Sequence, residues 1–182
     1  MGNTFAGHQR RSMRLKEYDY SNAGAYFITI VSFKRINIFG SINDGHVQLN
    51  QIGEIVENTW REIPIHFPYV TLDSFVIMPN HVHGILNIVG ATHKVSRDRR
   101  QGSPLQTNTP KRKSQPLGVI VGSFKSAATR RIHRSGLLKQ KHVWQRNYYE
   151  HIIRDDEDFR KISDYIKLNP INWEFDHENI TK

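Results

Sequence analysis

His81 and His83 stand one residue apart in the segment MPNHVHGIL (78–86). Alternate side chains of an extended strand leave on the same face, so both imidazoles can approach one ion while Val82 turns away. Neutral imidazole is a common ligand for divalent cations. In a chain with ten histidines a His-x-His also arises by chance, and the plain alternative is a pair of surface or hydrogen-bonded rings. A second group lies in DYIKLNP (164–170), where Tyr165 and Asn169 are four residues apart and share a helical face. Phe159, Ile162 and Ile166 form the apolar stripe there. Tyr165 borders the stripe, so its phenol can either pack or point toward the sheet, and for a Tyr in this position packing is the plain alternative. A third group is WQRNYYEHIIR (144–154), with Tyr148, Tyr149, Glu150, His151, Arg146 and Arg154. These are ordinary sheet residues, or aromatic and basic groups able to stack unpaired bases and hold phosphates.

The elements that must position these groups follow from periodicity. Residues 25–33 (AYFITIVSF) are aromatic and β-branched and predict a buried strand, which 35–39 can continue. Asp44-Gly45 between Ile42 and Val47 predicts a tight hairpin. Asn50 can cap a helix carrying Ile52, Ile55, Val56, Trp60 and Ile63, ended by Pro64. Strands are expected over 70–78 and 81–89, joined at Pro79-Asn80, and a helix over 119–134 through Ile120, Phe124, Ala128 and Ile132. A strand over 143–153 and a helix from Asp155 or Asp156 to Leu168, stopped by Pro170, complete the series. The order predicts an α+β fold, a mostly antiparallel sheet with helices packed on one face.

With 182 residues and 37% hydrophobic side chains, one domain spanning 1–182 is expected. The absence of cysteine excludes disulfides and thiolate metal sites. No apolar run has membrane-spanning length, and the Arg-rich start has no secretory apolar segment, so a cytoplasmic protein is expected. The net charge is +9, and it is segregated. Residues 90–154 hold fifteen basic and two acidic side chains, whereas 17–89 hold three and seven. Part of that excess lies in 90–116, a polar, proline-containing stretch that reads as a flexible basic insertion. Concentrated positive charge can neutralise phosphates and release counterions, although a solvated basic face is the bland reading. The candidate phosphate ligands are Arg10, Arg11 and Arg14 in the N-terminal arm, Lys125, Arg130, Arg131 and Arg134 on the basic helix, and Arg146 and Arg154 in the third group.

Taken in order, MPNHVHG, WQRNYYEHIIR and DYIKLNP resemble the motifs of the REP-associated tyrosine transposases, within the wider single-tyrosine, HUH-type insertion-sequence transposases. RRSMRLKEYDYSNAGAYFITI near the N-terminus resembles a subgroup, so the likeness spans nearly all of the chain except 90–116. The resemblance implies a ferredoxin-like fold with a metal on the open sheet face. It implies an Mg²⁺ or Mn²⁺ ion bound by His81, His83 and Asn169, and Tyr165 as nucleophile, with Tyr148 and Tyr149 as rivals. It further implies metal-dependent cutting and rejoining of single-stranded DNA beside a hairpin, such as a palindromic repeat, through a 5′ phosphotyrosine, by a monomer or homodimer. A domesticated hairpin-binding protein without mobilising activity is the alternative. An RNA-binding sheet domain and a zinc hydrolase are weaker readings, the last because no third ligand is evident at the usual spacings.

Overall fold

The computed structural model describes residues 23–89 and 116–179. Arg10, Arg11, Arg14 and the expected insertion up to residue 115 lie outside the described residues.

Strand β1 (Gly24–Val31) begins the fold, and its alternation divides Tyr26, Ile28 and Ile30 from Phe27 and Thr29. The segment after it is no strand, contrary to the expected continuation. Phe33–Arg35 form a 3-10 turn in which Lys34 and Arg35 both have left-handed φ, 57° and 58°, which a β ladder cannot accept. The hairpin forms as expected from β2 (Gly40–Asn43) and β3 (His46–Leu49), closed by Asp44 (φ 49°) and Gly45 (φ 71°). Two successive positive φ values match the strand twist, and Gly takes the second without strain.

Helix α1 (Gln51–Arg61) is capped by Asn50, whose side chain accepts from the Ile52 and Gly53 amides. Pro64 does not end it directly but opens a short turn, α2 (Ile63–His66), where its missing N–H costs nothing. Strands β4 (Val70–Ile77) and β5 (His81–Ile88) form an antiparallel pair with a bulge between Leu72 and Phe75. Helix α3 (Leu117–Ser135) ends at Gly136, whose φ of 71° suits a left-handed cap. The last strand, β6 (Tyr149–Ile153), is shorter than the 143–153 expected. Trp144 instead turns into the core, bridging Ser32 and donating its indole N–H to the Lys125 carbonyl. Helix α4 (Asp156–Leu168) is capped by Asp155, and its acidic first turn favours the helix dipole.

The main sheet has the order β4-β5-β1-β6, all antiparallel. Leaving the β2–β3 hairpin aside, β1-α1-β4-β5-α3-β6 on this sheet is the ferredoxin-like arrangement. Helices α1 and α3 cover one face, as the apolar pattern leads one to expect. Their Ile52, Val56, Trp60, Ile120, Phe124 and Ile132 pack on Tyr26, Ile28, Val82 and Leu86. Burying one such aliphatic side chain contributes about 1.5–3 kcal/mol. Helix α4 departs from the expected one-face packing. It lies on the opposite face, where Ile162 and Ile166 meet Phe27, Ile85 and Ile153. No helix among the described residues is long and apolar enough to cross a membrane.

Candidate active site

His81 and His83 both leave β5 on the α4 side of the sheet, with ring centroids 4.3 Å apart. Gly84, next in the chain, faces the other way. A Cβ there would fall 2.4 Å from Cζ2 of Trp60, so only glycine lets the indole lie against the strand behind the histidines. In register, His83 faces Thr29 and His81 faces Val31 on β1.

Each ring is fixed through Nδ1. The Asn80 amide nitrogen donates to two carbonyls, Arg35 at 3.0 Å and Glu178 at 2.6 Å. That settles the amide orientation and leaves Asn80 Oδ1, a pure acceptor, 2.8 Å from His81 Nδ1. His81 therefore carries its proton on Nδ1 and a bare lone pair on Nε2. On His83, Nδ1 lies 2.8 Å from Thr29 Oγ1, and Nε2 lies 3.3 Å from the Tyr165 hydroxyl.

Tyr165 reaches this point because Ile162 and Ile166 seat α4 on the sheet. Its ring stands edge-on to Phe27 at 6.1 Å and to His83 at 5.2 Å. The side chain remains 45% exposed, so its hydroxyl end is inside while its flank is open to solvent. Asn169, one turn further, is 2% exposed and donates its amide N–H to Asp176 Oδ2 at 2.9 Å. Asp176 lies in the segment beyond α4, after a 3-10 turn at Trp173–Phe175. The Trp173 ring is 6.0 Å from that of His81.

The result is a knot of acceptors. Donor atoms of His81, His83 and Asp176 all lie within 4.8 Å of one another. His81 Nε2 and Asn169 Oδ1 are buried without a hydrogen-bond partner. A buried polar atom left unpaired costs about 1–3 kcal/mol, so two of them side by side call for a shared partner that accepts lone pairs. A divalent cation fits that description, and the imidazole and oxygen donors suit it.

The electrostatics agree. Burial pushes His81 down to about 3, weakly opposed by Asn169. His83 is also held well below the ordinary histidine value, by burial and then by His81, with Asp176 opposing. Both rings are thus neutral near pH 7, the form that binds metal. Tyr165 is pushed up, first by burial of its hydroxyl and then by the negative charge of Asp176, with Asn169 opposing.

Of the residues singled out from sequence, His81, His83, Tyr165 and Asn169 come together. Of the rival tyrosines, Tyr148 packs with the core under α1 and α3, on the wrong face. Tyr149 is on the site face, opposite Thr29, with its ring 6.1 Å from Phe27, and burial followed by the charge of Asp158 raises its pKa. Among the basic candidates, Lys125 is engaged internally, donating to the Gln145 and Arg146 carbonyls at 2.7 and 3.1 Å. Arg131 bonds Thr59 and pairs with Glu62. Arg130 and Arg134 are exposed on α3, which packs on the sheet face away from the histidines, while Arg146 and Arg154 are exposed at the two ends of the β6 segment. Sequence reasoning missed Asp176, Asn80 and Thr29. Asn80 adjoined the paired histidines and was read only as a turn residue. Asp176 had no periodic signal to mark it.

Comparison with known proteins places the chain. No family model matches it. An uncharacterized protein of Haemophilus influenzae is 44% identical over 173 residues, covering 93% of this chain and 92% of that protein. A second Haemophilus influenzae protein, provisionally named a REP-associated tyrosine transposase, is 24% identical over 161 residues, covering 84% of this chain and 73% of its own length. A solved structure of a REP-associated tyrosine transposase bound to a REP hairpin shares the fold, with a TM-score of 0.55 and 17% identity over 94% of this chain and 76% of that one. The chain thus has the fold of a transposase class and is one family with the first Haemophilus protein. It is similar, at 24% identity, to a protein provisionally named a REP-associated tyrosine transposase and shares the fold of a solved one, the family that its motifs resemble.

Proposed function

We propose that this chain is a divalent-metal-dependent nuclease and strand transferase for single-stranded DNA beside a hairpin, with Tyr165 as nucleophile. The observation that carries the reading is the Tyr165 hydroxyl, 3.3 Å from His83 Nε2, at the edge of a buried donor cluster with two unpaired acceptors. His81, His83, Asp176 and Asn169 would hold Mg²⁺ or Mn²⁺. When bound there, a divalent cation supplies Lewis-acid polarisation of a phosphate oxygen. The relationship to REP-associated transposases supports a hairpin substrate.

The chain's own residues set the rest. Thr29 and Asn80 hold the imidazoles with Nε2 inward. The Tyr165 oxygen attacks phosphorus, the bond from phosphorus to the 3′ oxygen breaks, and a 3′ hydroxyl leaves with a proton as a phosphotyrosine ester forms. The phenol is protonated at neutral pH and must lose its proton. His83 Nε2 has one lone pair and cannot serve as that base while it is a ligand, so the proton passes to another base or to a bound water. Reversal by another 3′ hydroxyl rejoins strands and needs no nucleotide cofactor. The exposed Arg146 and Arg154 beside β6 supply charge for the DNA backbone, with Arg130 and Arg134 on α3 as a second patch.

The test is incubation of the protein with end-labelled hairpin DNA carrying a single-stranded flank, with Mg²⁺ or Mn²⁺. A covalent adduct is expected from the wild type and none from Tyr165→Phe. Hairpin binding without cleavage under any divalent cation would favour the domesticated binding protein. An adduct mapped to Tyr149 would transfer the nucleophile's role to it.

A further inference from the structure

Asn80 is fully buried, and its side chain uses every hydrogen-bonding direction its nitrogen has. One donor goes to the Arg35 carbonyl and the other to the Glu178 carbonyl, while Oδ1 serves His81 Nδ1. These partners belong to three separate pieces of chain. Arg35 is in the turn where two successive non-glycine residues have left-handed φ, a conformation that persists only when its surroundings hold it. His81 begins β5. Glu178 lies two residues past Asp176, and its backbone N–H donates to Asp176 Oδ1 at 2.6 Å. The Arg35 guanidinium closes the loop by pairing with the Glu178 carboxylate at 2.6 Å.

We propose that Asn80 is the positioning residue of this site: a single amide aims the His81 ring and seats the segment that carries Asp176, so cation binding and docking of 176–179 strengthen one another. The inference rests on the cation reading above but concerns a residue that touches no cation. Alanine at 80 removes the acceptor for His81 and both donors at once. Aspartate would keep an acceptor for His81 yet turn an oxygen toward two carbonyls. The pattern needs one acceptor and two donors on a short side chain, which among common residues only asparagine provides.

Two measurements on the full chain test this, Mn²⁺ binding by calorimetry and amide hydrogen exchange with and without Mn²⁺. In the wild type, Mn²⁺ should slow exchange at the amides of Asp176, Glu178 and Asn179. Asn80→Ala should weaken Mn²⁺ binding by about 10- to 100-fold, the usual effect of losing a partner that orients a ligand. It should also leave those amides fast whether or not Mn²⁺ is present. Arg35→Gln, a change at the surface, guards against misfolding: it should speed exchange at Glu178 and Asn179 and weaken Mn²⁺ several-fold, although Arg35 is remote from the donor atoms. A merely structural Asn80 would instead speed exchange throughout β5. Asn80→Ala binding Mn²⁺ within twofold of the wild type overturns the proposal, as do wild-type amides at 176–179 that ignore Mn²⁺. Wild-type protein that binds no Mn²⁺ at millimolar concentration overturns the cation reading and this inference with it.

Discussion

The two faces of the main sheet are built on different principles. Under α1 and α3 the contacts are apolar and continuous, from Trp60 and Phe124 through Ile28 and Leu86, with the Trp60 indole nitrogen buried among them without a partner. Under α4 the apolar cluster is small, with Phe27, Ile85, Ile153, Ile162 and Ile166 at its centre, and beside it sit buried polar groups that lack partners. The first face carries stability, and the second gives some of it up to hold donors that a cation would satisfy. Neighbouring residues of one strand serve both, since His83 and Gly84 point to opposite sides.

This contrast can be broken in several ways. The largest effect should come from Tyr165→Phe, which removes covalent adduct formation altogether. Because the ring and its packing are kept and only one hydroxyl is lost, thermal stability should change by no more than about 1–2 kcal/mol. A large drop in melting temperature would mean that Tyr165 is a packing residue. Trp60→Ala, on the other face, should cost about 3–5 kcal/mol in denaturant unfolding while leaving any folded protein competent to bind Mn²⁺. Equal loss of both would show that the faces are not separable.

Acid and base should also discriminate the faces. Unfolded histidines titrate near 6.5, whereas burial holds folded His81 down at about 3 and His83 low as well. Below about 6.5 the unfolded chain binds more protons, so the cation-free protein should lose stability as pH falls from about 6.5 toward 3. His81→Gln should flatten that slope, measured as denaturant midpoints in the presence of chelator. On the α3 side, burial lowers Lys125 from 10.5 to about 8. There the folded state sheds its proton first, so the contribution to stability rises between about 8 and 10.5. Relative to Lys125→Met, the wild type should gain no more than about 2 kcal/mol across that range, an upper figure given partial solvent screening. The smallest effects should come from single basic residues. Arg154→Gln should weaken hairpin binding a few-fold and reduce the salt slope by about 1, and Arg131→Gln should do less because its charge is already paired with Glu62.

Local chemistry made much of this legible. Period-two alternation put His81 and His83 together, i to i+4 spacing put Tyr165 beside Asn169, and Asn50, Asp155 and Asp44-Gly45 marked cap and turn positions that the fold uses. What escaped was set by distant contacts. Asp176 lies 93 positions beyond His83 in an irregular segment, and no pattern of its own connects it to β5. Asn80 acts through partners 45 and 98 residues away. Trp144 looked like a strand residue and became a core anchor because the Lys125 carbonyl was there to meet its indole. Even the side of the sheet taken by α4 depended on which face α1 and α3 had left uncovered.

The chain has three tryptophans, and the fold distributes them unevenly. Trp60 and Trp144 are buried behind the sheet, whereas Trp173 stands 6.0 Å from the His81 ring. A paramagnetic ion such as Mn²⁺ quenches the emission of nearby indoles, so Trp173 is a built-in optical reporter of site occupancy. Replacing Trp173 with Phe should remove most of the Mn²⁺-dependent loss of fluorescence while leaving the blue-shifted signal of the other two.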